Sequence, residues 1–294
     1  MARSEAAGKT GVTGAGTGTP SGRTPTEDTP TGNTPSGKMP GAVTIRKCEA
    51  LGEMQACFAL QKEVWKFSDA ELIPVRIFVV AAKIGGQVVG AFAGTDDKKE
   101  LIGFALALPG MRHGHCYLHS QMLAVRPQYR NGGLGRRMKL YQREDALARG
   151  IELMEWTFDP LEIKNAYLNI EKLGVIARRY SVDQYGLTSS PLQGGLPSDR
   201  LVAEWWMKSK RVEAVLAEVA RAKFECRARI DVPAEIYAWK ASAETRAQAL
   251  AVQARNRDVF QRAFAEGLSV LGYERDEHGN GRFLLGGWDG SLQY

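Results

Sequence analysis

The stretch from Leu118 to Gly150, LHSQMLAVRPQYRNGGLGRRMKLYQREDALARG, constrains the fold more than any other part of the chain. It opens as an alternating strand, turns through Arg130-Asn131-Gly132-Gly133-Leu134-Gly135, and closes as a helix with basic residues near its start. A glycine loop feeding a helix offers unpaired backbone N–H groups and the positive end of the helix dipole, and together these hold phosphate. Arg130, Arg136 and Arg137 add fixed positive charge. Read from its residues alone, the stretch is a pyrophosphate cradle on a strand–loop–helix. It is not a P-loop, because Arg136 and Arg137 stand where Lys-Ser would follow. Its glycines at 132, 133 and 135 also miss the G-x-G-x-x-G spacing.

The rest of the chain narrows the setting of this cradle. At 294 residues there is enough chain for a sizeable core in one large or two small domains. A net charge of +6 without any Lys/Arg-rich run suits an anionic cofactor better than nucleic acid, and no aromatic residues interleave with the basic ones as stacking platforms. The apolar runs are short and punctuated by Gly or Pro, so no membrane span is expected, and the first residues lack the apolar stretch of a signal peptide. Cys48, Cys57, Cys116 and Cys226 show no C-x-x-C spacing, which reads as reduced thiols in a cytoplasm.

Residues 1–41 are rich in Gly, Thr, Ser and Pro, with almost no large apolar side chains and with prolines at 20, 25, 30, 35 and 40, four of them after Thr. Such a segment cannot bury enough apolar area to offset its ordering entropy and is expected to be a disordered tail, with a Thr-Pro phosphorylation tether as the functional alternative. Order is expected from Val43. The periodicity predicts a strand at 43–47, a helix at 49–67 and a helix at 74–83, the last read against a competing strand because Pro74 and Gly85-Gly86 frame it. A hairpin of 87–94 and 101–108 around the polar turn 95–99 follows, then a loop at 109–114 and a central strand at about 116–125. Period two places Tyr117, His119 and Gln121 on one face of that strand and Leu118, Ser120 and Met122 on the other. Beyond the motif helix, expected at 134–149, come a strand at 153–158, a helix at 161–173, a strand at 176–180 and a strand at 200–207. The remaining chain reads as a helix at 209–223, a strand at 227–232, a long helix at 243–266 and a hairpin within 269–285. This β-α-β-β unit exposes a sheet edge and an apolar face, so it is expected to pack on the main sheet or on a second subunit, a homodimer being one arrangement.

Arg130-x-x-Gly133-x-Gly135, behind a strand ending Leu123-Ala124-Val125 with Pro127 following, resembles the acyl-CoA site of the GNAT acyltransferase superfamily. The order of elements over 43–207 is similar to the GNAT arrangement, and NAYLNIEKLGV at 165–175 resembles the helix that ends in a Leu-Gly-Phe-like tripeptide there. LHSQMLAV, WTFDPLEIKNAYLNIEKLG and GLPSDRLVAEWW resemble a bacterial branch of GNAT acetyltransferases. The resemblance implies an α/β fold with a mixed sheet, a GNAT domain at 42–208 and a carboxyl-terminal satellite at 209–294. It also implies an acyltransferase that uses acetyl-CoA or another acyl-CoA as cosubstrate and a primary amine as acceptor, with no metal. Leu123, Ala124, Val125, Arg130, Asn131, Gly132, Gly133, Leu134, Gly135 and Arg136 would hold the donor. Its pantetheine would lie between 120–125 and 153–158, with a backbone N–H near Leu123 as oxyanion donor.

A general base should titrate near neutral pH. His119, on the central strand, fits, and a histidine here also has precedent in GNAT amine acetyltransferases; a positioning residue and a hydrogen-bonded structural histidine are the alternatives. Glu155, on the next strand, is the second candidate, with a solvated strand residue as its bland reading. The tyrosine that usually protonates the leaving thiolate is missing, because Ile170 stands four residues before Gly174. Tyr167, one turn earlier, is expected to substitute, while Asn165 could bind pantetheine or a water. His113, His115 and His119 share parity and would imitate a metal site only if the strand began early. Cys116 as a covalent acyl carrier lacks a base. Asp199 or Arg200 in the GLPSDR loop could meet the acceptor, a surface turn being the preferred reading. An amino-acid-like small molecule is the expected acceptor, with succinyl transfer, protein acetylation and a silent CoA-binding protein as the alternatives.

Overall fold

The computed structural model describes residues 42–94, 99–186, 188–219 and 223–288. The expected disordered tail at 1–41 and most of the polar turn at 95–99 lie outside the described residues. In chain order the first half comprises β1 (Val43–Lys47), α1 (Leu51–Trp65), α2 (Val75–Lys83), β2 (Gln87–Ala93), β3 (Glu100–Arg112), β4 (His115–Val125), α3 (Leu134–Ala148) and β5 (Leu153–Phe158). There follow α4 (Ile163–Tyr167), β6 (Ile176–Ser181), β7 (Arg200–Trp206), α5 (Lys210–Leu216), β8 (Ala228–Val232), α6 (Ile236–Ala241), α7 (Arg246–Ala265), β9 (Leu268–Arg275) and β10 (Gly281–Gly287).

The strands form one mixed sheet in the order β1-β2-β3-β4-β5-β7-β6-β9-β10-β8, in which β4 and β5 are parallel and the other pairs are antiparallel. α1 and α2 cover one face of its first half, where Met54, Cys57, Leu60, Phe78 and Ala81 pack on Phe104, Leu106 and Met122. α3 covers the other face through Leu134, Met138 and Ala146. α1 starts at a carboxylate cap: Glu53 accepts from the backbone N–H of Glu49 at 2.8 Å and pairs with Arg46 at 2.5 Å. The thiols of Cys48 and Cys57, nine residues apart in the chain, lie 3.9 Å apart and free within the α1–α2 layer.

The carboxyl-terminal strands continue the same sheet. β9 joins β6 through Ala177↔Val270, and the largest core cluster runs from Met154, Trp156 and Trp205 to Ile230, Phe260 and Phe283. Trp205 donates its indole N–H to the Leu173 carbonyl at 2.7 Å, tying β7 to the end of the α4 segment.

Three expectations change. The loop expected at 109–114 is strand: β3 continues to Arg112 and pairs with β4 down to Arg112↔His115. Proline is tolerated at 109 because the ladder with β2 ends at Gln87↔Ala107, so the outer edge of β3 is unpaired there and no ladder bond is lost. The turn contracts to His113 and Gly114, both at positive φ. The helix expected at 209–223 ends at Leu216, and a further helix, α6, precedes the long α7. Third, Met122 does not share a face with Leu118 and Ser120, for a reason that belongs to the site.

Candidate active site

β4 and β5 pair at Leu118↔Met154 and His119↔Glu155 and then diverge. Beyond those two pairs the facing edges, 120–125 on β4 and 156–158 on β5, have no ladder partner for each other among the described residues. On its other side β4 carries a bulge. Leu106 pairs with Met122 and Ala107 with Ser120, so Gln121 is the extra residue. A bulge reverses the side-chain alternation beyond it. Leu118 therefore packs on the α3 side, as does Leu123, whereas Met122 and Ala124 pack on the α1–α2 side. His119 is paired with Leu108, which packs on the α1–α2 cluster, and so opens to that face at the apex of the divergence.

The glycine loop lies at the far end of the diverging edge. Gly133 is the N-cap of α3 at φ 76, and Asn131 is also left-handed at φ 64. A Cβ at Gly133 would meet nothing within 4 Å, so glycine there supplies backbone conformation and an open approach rather than room for a neighbour. At Gly135 a Cβ would come 3.5 Å from Leu123 Cδ2, which places the cradle directly against the end of β4. The first α3 bond runs from Arg137 N to the Gly133 carbonyl at 3.0 Å, leaving the N–H groups of 134–136 without intrahelical acceptors. Arg130 folds back to donate to the Val125 carbonyl at 3.0 Å. Arg136 reaches the Lys172 carbonyl at 3.3 Å and Arg137 the Val43 carbonyl at 3.0 Å, so these two side chains brace the helix laterally.

His119 is half-buried, and among the described residues nothing hydrogen-bonds its ring. Burial lowers its pKa, and the charges of Lys139 and Arg179 lower it further, so the neutral imidazole persists below the ordinary histidine range. Glu155, directly opposite in the ladder, is buried and receives Arg112 at 2.6 Å and Arg179 at 2.5 Å. Next to it Glu204, fully buried, binds Arg178 at 2.9 Å and Arg179 at 3.1 Å. Burial alone would raise the Glu204 pKa, but the Arg178 hydrogen bond and the two arginine charges outweigh it and hold the carboxyl below its usual value. Three arginines against two carboxylates make this cluster net positive beside His119.

The structure brings His119 and Glu155 together and sets Leu123 to Val125 against the cradle. Asn165 is exposed on α4, and the ring of Tyr167 lies 5.5 Å from Lys172 Nζ and 5.8 Å from the Arg275 guanidinium carbon, on its way to β9 rather than over β4. After Tyr167 the helix widens into a π turn, Leu168–Lys172, which shifts the register by which a residue four before Gly174 would be counted. β4 begins at His115 while His113 occupies the turn, and no group of three metal-type ligands gathers among the described residues. Asp199 is neither an acceptor contact nor a surface turn. It is buried and accepts from Tyr180, Arg257 and the Asp183 N–H.

Two residues escaped the sequence reading. Glu204 lay hidden in an apolar strand. Lys139 stands on the buried stripe of α3 with Leu134, Met138, Gln142 and Ala146, a cation at a core position, which was the available signal. Its Nζ donates to Ser120 Oγ at 2.8 Å and sits 3.7 Å from the Trp156 ring centroid.

Residues 49–167 match the Acetyltransferase (GNAT) family. The chain carries a GNAT-family acetyltransferase domain. The matched span runs from α1 to the end of α4 and contains the bulged β4, the cradle and β5. Among solved structures, the fold is similar to the ribosomal-protein-S18-alanine N-acetyltransferase from Escherichia coli, at 16% identity over 57% of this chain and 97% of that one, with a TM-score of 0.43. It is also similar to Arabidopsis thaliana NAA60 in complex with acetyl-CoA, at 12% identity over 57% and 100% of the two chains, TM-score 0.47. A GNAT-family acetyltransferase from Streptococcus pneumoniae gives 15% identity over 55% and 98%, TM-score 0.43. Comparison with curated proteins found no match.

Proposed function

We propose that this GNAT-family protein transfers an acetyl group from acetyl-CoA to the primary amine of a small molecule that carries an anionic group, with donor and acceptor bound together. The carrying observation is the continuity of the cradle with an unpaired strand edge that ends at a neutral histidine. The N–H groups of Leu134 to Arg136, reached without obstruction across Gly133, suit a pyrophosphate, and Arg130 and Arg136 add charge. The open edge of 120–125 can pair with the amides of an extended pantetheine arm as with an added strand. A backbone N–H near Leu123 then faces the thioester oxygen and stabilises the charge that develops there. His119 takes the proton of the attacking amine through its unpartnered ring, and the thiolate departs without a dedicated tyrosine. CoA thiolate is a tolerable leaving group.

Glu155 is better suited to holding Arg112 and Arg179 than to accepting a proton, since both its neighbours are cations. Those arginines keep 26% and 42% of their side chains exposed, and their net charge favours an acceptor with a carboxylate near its amine, as in an amino acid. The test pairs each amino acid with its decarboxylated amine, reading thiol release from acetyl-CoA and from succinyl-CoA. The carboxylate-bearing member should be the better substrate by about tenfold or more, worth about 1.4 kcal/mol. Equal rates for both members would remove the anionic-acceptor reading, and faster succinyl than acetyl transfer would replace the donor.

A further inference from the structure

Lysine side chains are rarely buried, and among the described residues two are, with opposite surroundings. Lys240, 6% exposed, sits between Asp159 and Glu162, each at 2.9 Å. Burial would lower its pKa, but the two carboxylates raise it, so Lys240 is an ammonium in an ion-paired site. Lys139, 4% exposed, has no carboxylate partner among the described residues. Burial pushes its amine well below the usual lysine range, which favours the uncharged amine.

The position of that amine matters more than its charge. Ser120 and Trp156, which hold Nζ, are the first residues of β4 and β5 beyond the last ladder pair. Nζ therefore lies at the apex where the strands part. One N–H serves Ser120 Oγ, whose own hydroxyl donates to Gln142 Oε1 at 3.3 Å, and the other faces the Trp156 ring. In the uncharged form its lone pair meets no donor among the described residues. A desolvated, uncharged lysine with a free lone pair is the nucleophilic form.

We propose that Lys139 is itself an acyl acceptor, and that the protein acylates this buried lysine from bound acyl-CoA. The proposal rests on the placement of the thioester between the diverging strands given under Proposed function. Nζ attacks the thioester carbonyl carbon, the C–N bond forms, the C–S bond breaks, and the proton lost from nitrogen passes to the departing thiolate. The products are one amide on Lys139 and free CoA, with no other reactant. The amide is stable and adds bulk at the apex, so the modification would obstruct later turnovers and act as a brake when donor is abundant and acceptor scarce.

The experiment uses the full chain with acetyl-CoA and no amine, followed by intact mass and peptide mapping. The expected result is one acetyl group per chain, on Lys139, with a rate that saturates in acetyl-CoA and falls when CoA is added. Lys139→Met should lack that label. Acetyl phosphate, which lacks the nucleotide and pantetheine, should label exposed lysines and spare Lys139. If calorimetry shows acetyl-CoA bound and thiol is released with added amines while Lys139 stays unmodified, self-acylation is wrong and the transferase reading stands. Labelling by acetyl phosphate as fast as by acetyl-CoA would equally overturn it, because the residue would then be open to any reagent. If acetyl-CoA does not bind, both readings fall.

Discussion

At the apex of the site two titratable side chains approach the sheet from opposite faces, His119 from the α1–α2 side and Lys139 from α3. Burial lowers the pKa of both, and Lys139 lowers that of His119 further. For Lys139 this is also a statement about stability. Its folded pKa lies below its unfolded one, so below the ordinary lysine value the unfolded chain binds more protons than the native one. Wild-type stability is therefore lost as pH falls from above the ordinary lysine pKa through the folded one. Lys139→Met keeps the length of the side chain and removes the penalty, and should stabilise the protein at pH 7 by about 1–3 kcal/mol. The gain should shrink as pH approaches 10.5, the ordinary lysine value. Urea unfolding at the two pH values checks both sign and trend, and a destabilised variant at pH 7 would mean that the amine is charged and paired in solution.

At the scale of elements, the strand–loop–helix was legible because its signals are local. Gly133 supplies the left-handed backbone at the helix N-cap, and the arginines sit beside it. Helix α2 was decided by its framing residues in the same way. The bulge at Gln121 was not legible. Nothing in LHSQMLAV marks where β3 will offer one residue against two, yet that offset decides which side chains reach which face. The Arg112–Glu155–Arg179–Glu204 cluster was likewise hidden, since it joins four residues from four strands by tertiary pairing. For the cradle itself, Gly133→Val should weaken CoA binding at least tenfold, about 1.4 kcal/mol, through both its side chain and its strained positive φ. Gly133→Asn, which tolerates the left-handed conformation, should lose less. Calorimetry on folded variants gives the order, and unchanged affinity in the valine variant would remove the loop from the donor site.

At the scale of the molecule, the carboxyl-terminal strands and α7 share a sheet and a core with the GNAT domain. Composition could suggest their fold but not their edge, because the β6–β9 junction is one bridge between distant segments. Asp199 is one of the polar ties across that seam: before β7, it accepts Arg257 of α7 at 2.8 Å and Tyr180 of β6 at 2.7 Å. Asp199→Ala strands those donors and should cost roughly 3 kcal/mol, the low end for a broken buried pair because Arg257 can turn to solvent. The described core predicts that wild type and variant each unfold in one transition. Two separated transitions in calorimetry would show that the carboxyl-terminal part folds by itself.

The proposed mechanism places acyl transfer at the apex between β4 and β5 with His119 as base. It is tested most directly by thiol release from acetyl-CoA at limiting amine, measured across pH for wild type and His119→Gln. The wild-type rate should fall only at pH below the ordinary histidine value of about 6.5, because burial, Lys139 and Arg179 all favour the neutral ring. His119→Gln should lower turnover by roughly two to four orders of magnitude, lose that acidic limb, and bind CoA as wild type does. An active variant with the same limb, or a wild type that binds CoA and releases no thiol with any amine, would contradict the account.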